Sequence, residues 1–322
     1  QPVSVAMQAY NYEHIIVEKA EGRMRLTLNR PDKRNALSFR MQTELNHALL
    51  DADNDKSIHC VIIRGAGRDF CAGFDLQDSS VYGPDGLKKS VIEHYGLDKK
   101  SPRQWQEQIR VTRKIEDDIW NMEEQQRLQM TIFDMHKPVI VAVHGNCLAG
   151  GIGIAFLADI VVAAEDAQIG FPPARDFGVL PTNMLMYHTS PQWAKRLLIT
   201  GDSISGRDAA KIGLVLKAVP EGSLGDEVEG LADRMALIDP GLLTWNKRCV
   251  NLSMELMGAR TMQRFNVMLD GMGHQAGTVY GGLGKQTKDA GGLANVFKRR
   301  NAQFGEGVAH ADVPEGRLRP KA

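Results

Sequence analysis

Lys137-Pro138-Val139-Ile140-Val141-Ala142-Val143-His144-Gly145-Asn146-Cys147-Leu148-Ala149-Gly150-Gly151-Ile152-Gly153-Ile154-Ala155-Phe156 is an apolar run, a turn of small residues, and a second apolar run that opens on paired glycines. The first run is rich in β-branched residues and carries no charge from Val139 to Val143, the composition of a strand buried on both faces. The second run reads as a helix starting at Gly150. Asp159-Ile160-Val161-Val162-Ala163-Ala164 supplies the next strand. Strand, helix and strand in that order predict a right-handed crossover within a parallel sheet.

Working outward, a similar unit precedes it. Ile15–Glu18 and Arg23–Leu28 flank Glu21-Gly22 and predict a hairpin. Ser38 is placed to cap a helix with Met41, Leu45, Ala48, Leu49 and Ala52 on one face. Cys60-Val61-Ile62-Ile63-Arg64-Gly65 is another buried-type strand. From about residue 190 the pattern is mainly helical, with helices expected near 193–198, 205–212, 227–236, 241–257 and 259–272. Two stretches are atypical. Residues 77–101 are rich in Gly, Ser, Lys and Asp, supply Tyr82, His94 and Tyr95, and precede a helix expected over about 102–135. Residues 273–292 are glycine-rich and read as a loop.

Composition narrows the classes. The 322 residues carry 39 Lys+Arg and 39 Asp+Glu, a balance that argues against a nucleic-acid partner or an anionic membrane surface. No apolar run approaches the roughly 20 residues of a membrane span, and Gln1–Ala6 lacks the basic and apolar regions of a signal peptide. The four cysteines, Cys60, Cys71, Cys147 and Cys249, form no CxxC pair, so neither a metal nor a redox site is expected. A reducing, cytoplasmic compartment is the simplest expectation.

Two glycine-containing elbows stand out. One is Arg68-Asp69-Phe70-Cys71-Ala72-Gly73-Phe74-Asp75-Leu76 after the strand at 60–65; the other is Gly145–Gly151. Small residues let the backbone turn sharply and expose N–H groups, and a helix start offers unpaired donors. Two donors aimed at one point stabilise an oxyanion. A lone Gly-Gly before a helix is also a common packing device. No GxGxxG with a suitably placed acidic residue follows the strand, so a dinucleotide-binding reading fails.

The ordered set of motifs resembles the crotonase superfamily, the enoyl-CoA hydratase/isomerase family. Asn29-Arg30-Pro31-Asp32-Lys33-Arg34-Asn35-Ala36-Leu37 is similar to its NRP–(K/R)–NAL segment. Phe70–Leu76, Lys137–Gly151, Asp159–Ala163 and Leu198–Gly213 are similar to four further family segments in the family's order, and the resemblance runs from about Tyr12 to Leu216. It implies an α/β fold, a crotonase-like ββα spiral with a C-terminal helical trimerisation region. The expected division is a core over 7–200, with the insertion at 77–101, and a helical region over 201–322. It also implies an acyl-CoA thioester as substrate, no separate cofactor or metal, and a homo-oligomer, a trimer or dimer of trimers. Carried over motif by motif, the oxyanion donors are the N–H groups of Phe74 and Gly150. The substrate-binding positions are Lys33, Arg34, Ala36, Ala72, Phe297 and Lys298, the basic residues among them matched to phosphate.

The chain departs from the family where protons move. Hydratases of the family use two glutamates as general base and acid. At the first position this chain has Gly153, and at the second Pro173 or Ala174, depending on where one residue is inserted. Asp176, beside the second position, is the candidate acid/base; Arg175 could meet a substrate carboxylate, and Tyr187 could line the pocket. His188 and His144 read as structural. Three functions stay open: an acyl-CoA enzyme acting through an enolate or oxyanion, a CoA-binding pseudo-enzyme, and a crotonase-fold C–C bond hydrolase. Standard two-glutamate hydration is not expected.

Overall fold

A computed structural model describes residues 11–76, 115–276 and 283–317. The insertion expected at 77–101, with Tyr82, His94 and Tyr95, lies outside the described residues. The elements are, in order, β1 (Ile15–Ala20), β2 (Arg23–Leu28), α1 (Phe39–Asn54), β3 (Cys60–Gly65), α2 (Ile115–Asp134), β4 (Val139–Val143), β5 (Asn146–Leu148), α3 (Gly150–Ala155), β6 (Ile160–Ala164) and β7 (Gln168–Gly170). There follow α4 (Leu185–His188), α5 (Pro191–Thr200), β8 (Ser203–Ser205), α6 (Gly206–Lys211), β9 (Lys217–Val219), α7 (Glu221–Ala236), α8 (Pro240–Leu256), α9 (Ala259–Ala276), α10 (Leu283–Ala290), α11 (Leu293–Asn301) and β10 (Val308–Ala309).

Among the described residues the strands form two sheets. The larger runs β1-β2-β3-β4-β6-β9 and the smaller β10-β8-β7-β5. The β1–β2 pair is the antiparallel hairpin expected at Glu21-Gly22, where both residues take positive φ. From β2 to β9 every pairing in the larger sheet is parallel, as the buried, charge-free strands at 139–143 and 160–164 require. Ser38 caps α1 by accepting a hydrogen bond from Met41 N at 3.0 Å. The Asp159 carboxylate accepts from Val139 N at 2.7 Å and pairs with Lys247 Nζ at 2.9 Å, so the acidic residue before β6 fastens α8 to the sheet.

One expectation needs correction. Residues 273–292 are not simply a loop: α9 continues to Ala276 and α10 spans Leu283–Ala290, one face of α9 being packed against α2. Among the described residues the chain after residue 200 is mainly helical and adds three short strands. β9 closes one edge of the larger sheet, and β8 and β10 belong to the smaller one.

Candidate functional site

The two elbows are built against each other by backbone pairing. Leu37 N donates to Gly73 O at 2.8 Å and Asp75 N to Leu37 O at 3.0 Å, so Phe74 itself turns its N–H away from that partner. Cys71 N donates to Asn146 O and Leu148 N to Cys71 O, each at 2.9 Å, which ties the first elbow to the second. Asn35, fully buried, holds the entry to both. Its Nδ2 reaches Ala66 O and Asp69 O at 2.8 and 2.7 Å, and its Oδ1 accepts from Arg30 N at 2.8 Å. Arg30 in turn bonds Ala36 O at 2.7 Å and pairs with Asp75 at 2.8 Å. Asp69 accepts from Asn146 N at 3.0 Å.

The glycines are demanded by contact. A Cβ on Gly73, at φ +113°, would sit 2.7 Å from Ala149 Cβ, and one on Gly150 would sit 2.9 Å from the Phe74 ring. One on Gly145 would overlap Arg68 O. Ala149 holds φ 52° and ψ −120°, a costly conformation for a residue with a side chain, while its N–H bonds Gly170 O at 3.0 Å. Among the described residues neither Phe74 N–H nor Gly150 N–H donates to the protein. The neighbouring thiols are not nucleophiles. Burial pushes Cys71 up to about 12 and holds Cys147 well above its ordinary value.

Gly153, at the position of the first family glutamate, has no room for a side chain. A Cβ on Gly153 would overlap Thr182 Oγ1. Thr182 donates to Gln129 Oε1 at 3.2 Å, Gln129 to Gln42 Oε1 at 2.8 Å, and Gln42 to Gln125 Oε1 at 3.0 Å. This buried chain of amides joins α1, α2 and the loop before α4. Sequence reasoning missed it because its bonded partners lie up to 87 positions apart.

At the second position, Pro172–Arg175 forms one 3-10 turn. Arg175, expected to meet a substrate carboxylate, has its guanidinium engaged by the protein itself. Its Nε, Nη1 and Nη2 bond Thr200 O, Asn301 Oδ1 and Asp202 Oδ1 at 3.0, 2.9 and 2.6 Å, and the guanidinium stacks 4.0 Å from the centre of the Phe304 ring. A guanidinium so engaged, with its side chain 4% exposed, locks the turn to the C-terminal helix. Asp176 is ion-paired with Arg300 at 2.8 Å, and Arg300 lies 4.7 Å from the centre of the Phe297 ring. Asn301 and Arg300 thus bring Phe297 and the exposed Lys298 to the same turn. Lys33 and Arg34 are exposed and make no ion pair among the described residues, whereas Ala36 and Ala72 are half-buried in the elbow. Tyr187 donates to Met257 O at 3.4 Å, and burial raises its phenol. His188 bonds Phe156 O at 2.9 Å and burial lowers it; His144 bonds Gly67 O at 2.9 Å, fixing the strand end.

A titratable cluster that sequence reasoning missed lies just beyond this turn. Asp270 and His274, one turn apart on α9, meet Asp118 of α2 and the loop at 177–179. The Asp-x-x-x-His spacing on an amphipathic helix was the one signal for it.

Comparison with known proteins agrees with this architecture. The sequence model of the enoyl-CoA hydratase/isomerase family matches residues 23–239. The 2,3-dehydroadipyl-CoA hydratase of Escherichia coli K12 is 30% identical over 246 residues, covering 75% of this chain and 83% of that protein. An enoyl-CoA hydratase crystal structure from Mycobacterium smegmatis superposes with a TM-score of 0.78 at 30% identity, covering 94% of this chain and 98% of the other. An enoyl-CoA hydratase/isomerase from Xanthobacter autotrophicus Py2 gives 0.72 at 30% identity, covering 91% and 99%. The five motifs, the ββα layering and these matches lead to one statement: the chain belongs to the enoyl-CoA hydratase/isomerase family, within the crotonase superfamily.

Proposed function

We propose that the protein binds an acyl-CoA thioester and stabilises the negative charge formed on its carbonyl oxygen with the N–H groups of Phe74 and Gly150. The observation that carries this reading is the pair of abutting elbows, each presenting an amide with no partner among the described residues. Fixed donors cost no reorganisation as charge develops, and one such donor is worth about 10²–10³ in rate. The exposed, unpaired Lys33 and Arg34 suit the CoA phosphates, and Phe297 and Lys298 approach from the C-terminal helix. The chemistry is a reaction through a thioester enolate or oxyanion, hydration or isomerisation, without the two-glutamate pair, since Thr182 fills the place beside Gly153.

The same reading includes a homo-oligomer, a trimer or dimer of trimers. α8 and α9 expose Leu252, Leu256, Met257, Met262, Phe265 and Met268, more adjacent apolar surface than a lone chain ordinarily leaves in water. A monomer in sedimentation equilibrium at micromolar concentration would remove this part. The test of the whole is calorimetric titration with coenzyme A, beside turnover of a panel of 2-enoyl- and 3-enoyl-CoA thioesters. Binding with turnover supports the reading. Binding without turnover favours a CoA-binding protein that has lost its chemistry, and turnover of a diketone without CoA binding favours a C–C bond hydrolase.

A further inference from the structure

The reaction proposed above needs a group that moves a proton, and both glutamate positions of the family are filled by residues that do not titrate. The described residues offer a replacement on another element. α9 comes against the backbone of the loop at 177–179 because two glycines face each other there. A Cβ on Gly273 would sit 3.3 Å from Gly178 Cα, and one on Gly178 would overlap Asp270 Oδ1. The close approach lets Asp270 Oδ1 accept from Val179 N at 2.7 Å. That loop is one step from the second glutamate position, since Phe177 N and Gly178 N both donate to Pro173 O, at 2.8 and 3.1 Å.

Asp270 is not isolated. His274 Nε2 lies 3.5 Å from Asp270 Oδ1, and His274 Nδ1 is 2.6 Å from Asp118 Oδ2, while the Phe177 ring packs edge-on against the imidazole. The result is a carboxylate–imidazole–carboxylate row whose far end is anchored and whose near end keeps Oδ2 without a partner among the described residues. The row continues a polar seam between α2 and α9 that itself calls for a polar visitor. Among the described residues Gln263 and Asn266, each 2% exposed, leave Oε1 and Nδ2 without a partner, as does Asn121 Oδ1 across from them. Buried polar atoms in that state are rare and mark a place where something else completes them.

We propose that Asp270, positioned by His274 and Asp118, is the proton-transfer group of the acyl-CoA reaction; the assignment rests on the acyl-CoA reading. In a hydration, a water oxygen bonds to C3 of the enoyl thioester and its proton passes to Asp270 Oδ2. The C2=C3 π pair moves onto the thioester oxygen between the Phe74 and Gly150 amides. The carboxyl then returns that proton to C2 as the enolate collapses, so H and OH are added and the carboxylate is restored. In an isomerisation the same oxygen carries a proton between C4 and C2. Burial pushes the Asp270 carboxyl up to about 6, against the pull of His274 and the Val179 N–H, and Asp118 adds to the rise. A base with that value is ionised at neutral pH and still accepts a proton readily. The charged groups that bear on it are His274 on its own helix and Asp118 on α2. On the loop side the next pair is Asp176 with Arg300, and α8 meets α9 near its far end, where Arg260 pairs with Glu255.

The test is turnover of 2-enoyl- and 3-enoyl-CoA thioesters from about pH 5 to 8 by the full-length wild type and by Asp270→Asn, His274→Gln and Asp176→Asn, with coenzyme A affinity measured for each. Asn keeps the acceptor for Val179 N and removes the titration. Asp270→Asn is expected to lower kcat by about 10²–10⁴-fold with coenzyme A affinity unchanged, and to erase an acid limb near pH 6. His274→Gln is expected to move that limb while retaining more activity. If Asp270→Asn does not fold, the moved limb in His274→Gln decides alone. A comparable loss in Asp176→Asn with Asp270→Asn unimpaired overturns the assignment, as does a limb that neither variant disturbs. A wild type that binds coenzyme A but turns over no thioester also overturns it. A wild type that does not bind coenzyme A defeats the acyl-CoA reading itself.

Discussion

At the elbows around Gly73 and Gly150 the carboxylates of Asp69 and Asp75 are engaged by neighbours while the N–H groups of Phe74 and Gly150 have no partner among the described residues, whereas along the seam between α2 and α9 the facing side chains are amides, carboxylates and an imidazole. On the proposed reading the elbows work through the main chain. Their side chains are small because a Cβ at 73, 145, 150 or 151 would strike a neighbour, and the donors are peptide N–H groups whose direction is set by the Leu37 and Asn146 pairings. The seam does the reverse. Its backbone is ordinary helix, and everything distinctive about it is side-chain chemistry. On the proposed reading, one half of the chemistry resides in main-chain geometry and the other half in side chains of another element.

The largest effect is expected at the elbow. Gly150→Pro removes one N–H at a helix start, a position that accepts proline in the helix itself, and it also adds a Cβ that would press on the Phe74 ring at 2.9 Å. The expected result is a loss of about 10²–10³ in kcat with coenzyme A affinity retained; unchanged turnover would show that the platform is not used. Next, Gly153→Glu tests whether the vacant position can simply be refilled. Because Thr182 occupies that space, the variant should lose about 1–3 kcal/mol in chemical denaturation without gaining hydratase activity. Adding Thr182→Gly should recover part of that loss. If Gly153→Glu alone is neutral, the packing account of the departure is wrong.

Smaller effects sharpen the seam. Burial pulls His274 down, but its hydrogen bond to Asp118 and the charges of Asp270 and Asp118 outweigh it, so the net shift is upward; Asp270 is raised as well. Both groups therefore bind a proton more tightly folded than unfolded. Their contribution to stability is present below the unfolded values and is lost as pH rises through the folded ones. Relative to the Asp270→Asn, His274→Gln double variant, the wild type should lose Tm steadily from about pH 5 to 8, a difference read by thermal melts. A parallel pair of curves would mean the row is not coupled to folding. Smallest, Lys33→Ala and Arg34→Ala should each weaken coenzyme A binding by about tenfold or less, since both side chains are exposed and screened.

Much of this was legible in the sequence, for local reasons. The hairpin at Glu21-Gly22, the Ser38 cap and the parallel strands follow from turn chemistry, capping and apolar runs, each settled within a few residues. The elbows were legible because close backbone approach forces glycine. What was not legible depends on distant partners. Arg175 looked like a free cation beside a vacant site, but Asp202, Thr200 and Asn301, the last 126 positions away, claim its nitrogens. Asp118 and His274 lie 156 positions apart, so neither strand period nor helix period could connect them. The glycine-rich stretch at 273–292 read as a loop because propensity penalises glycine in helices, while packing of α9 on α2 overrides that penalty.

The amide chain from Gln42 through Gln129 to Thr182 bears on how position 153 can change. A glutamate introduced there alone would meet Thr182 while Thr182 is still held by Gln129. Removing the threonine first strands a buried glutamine acceptor, which carries its own penalty. Either order passes through a less stable intermediate, so the two changes are expected to be accepted together rather than one at a time.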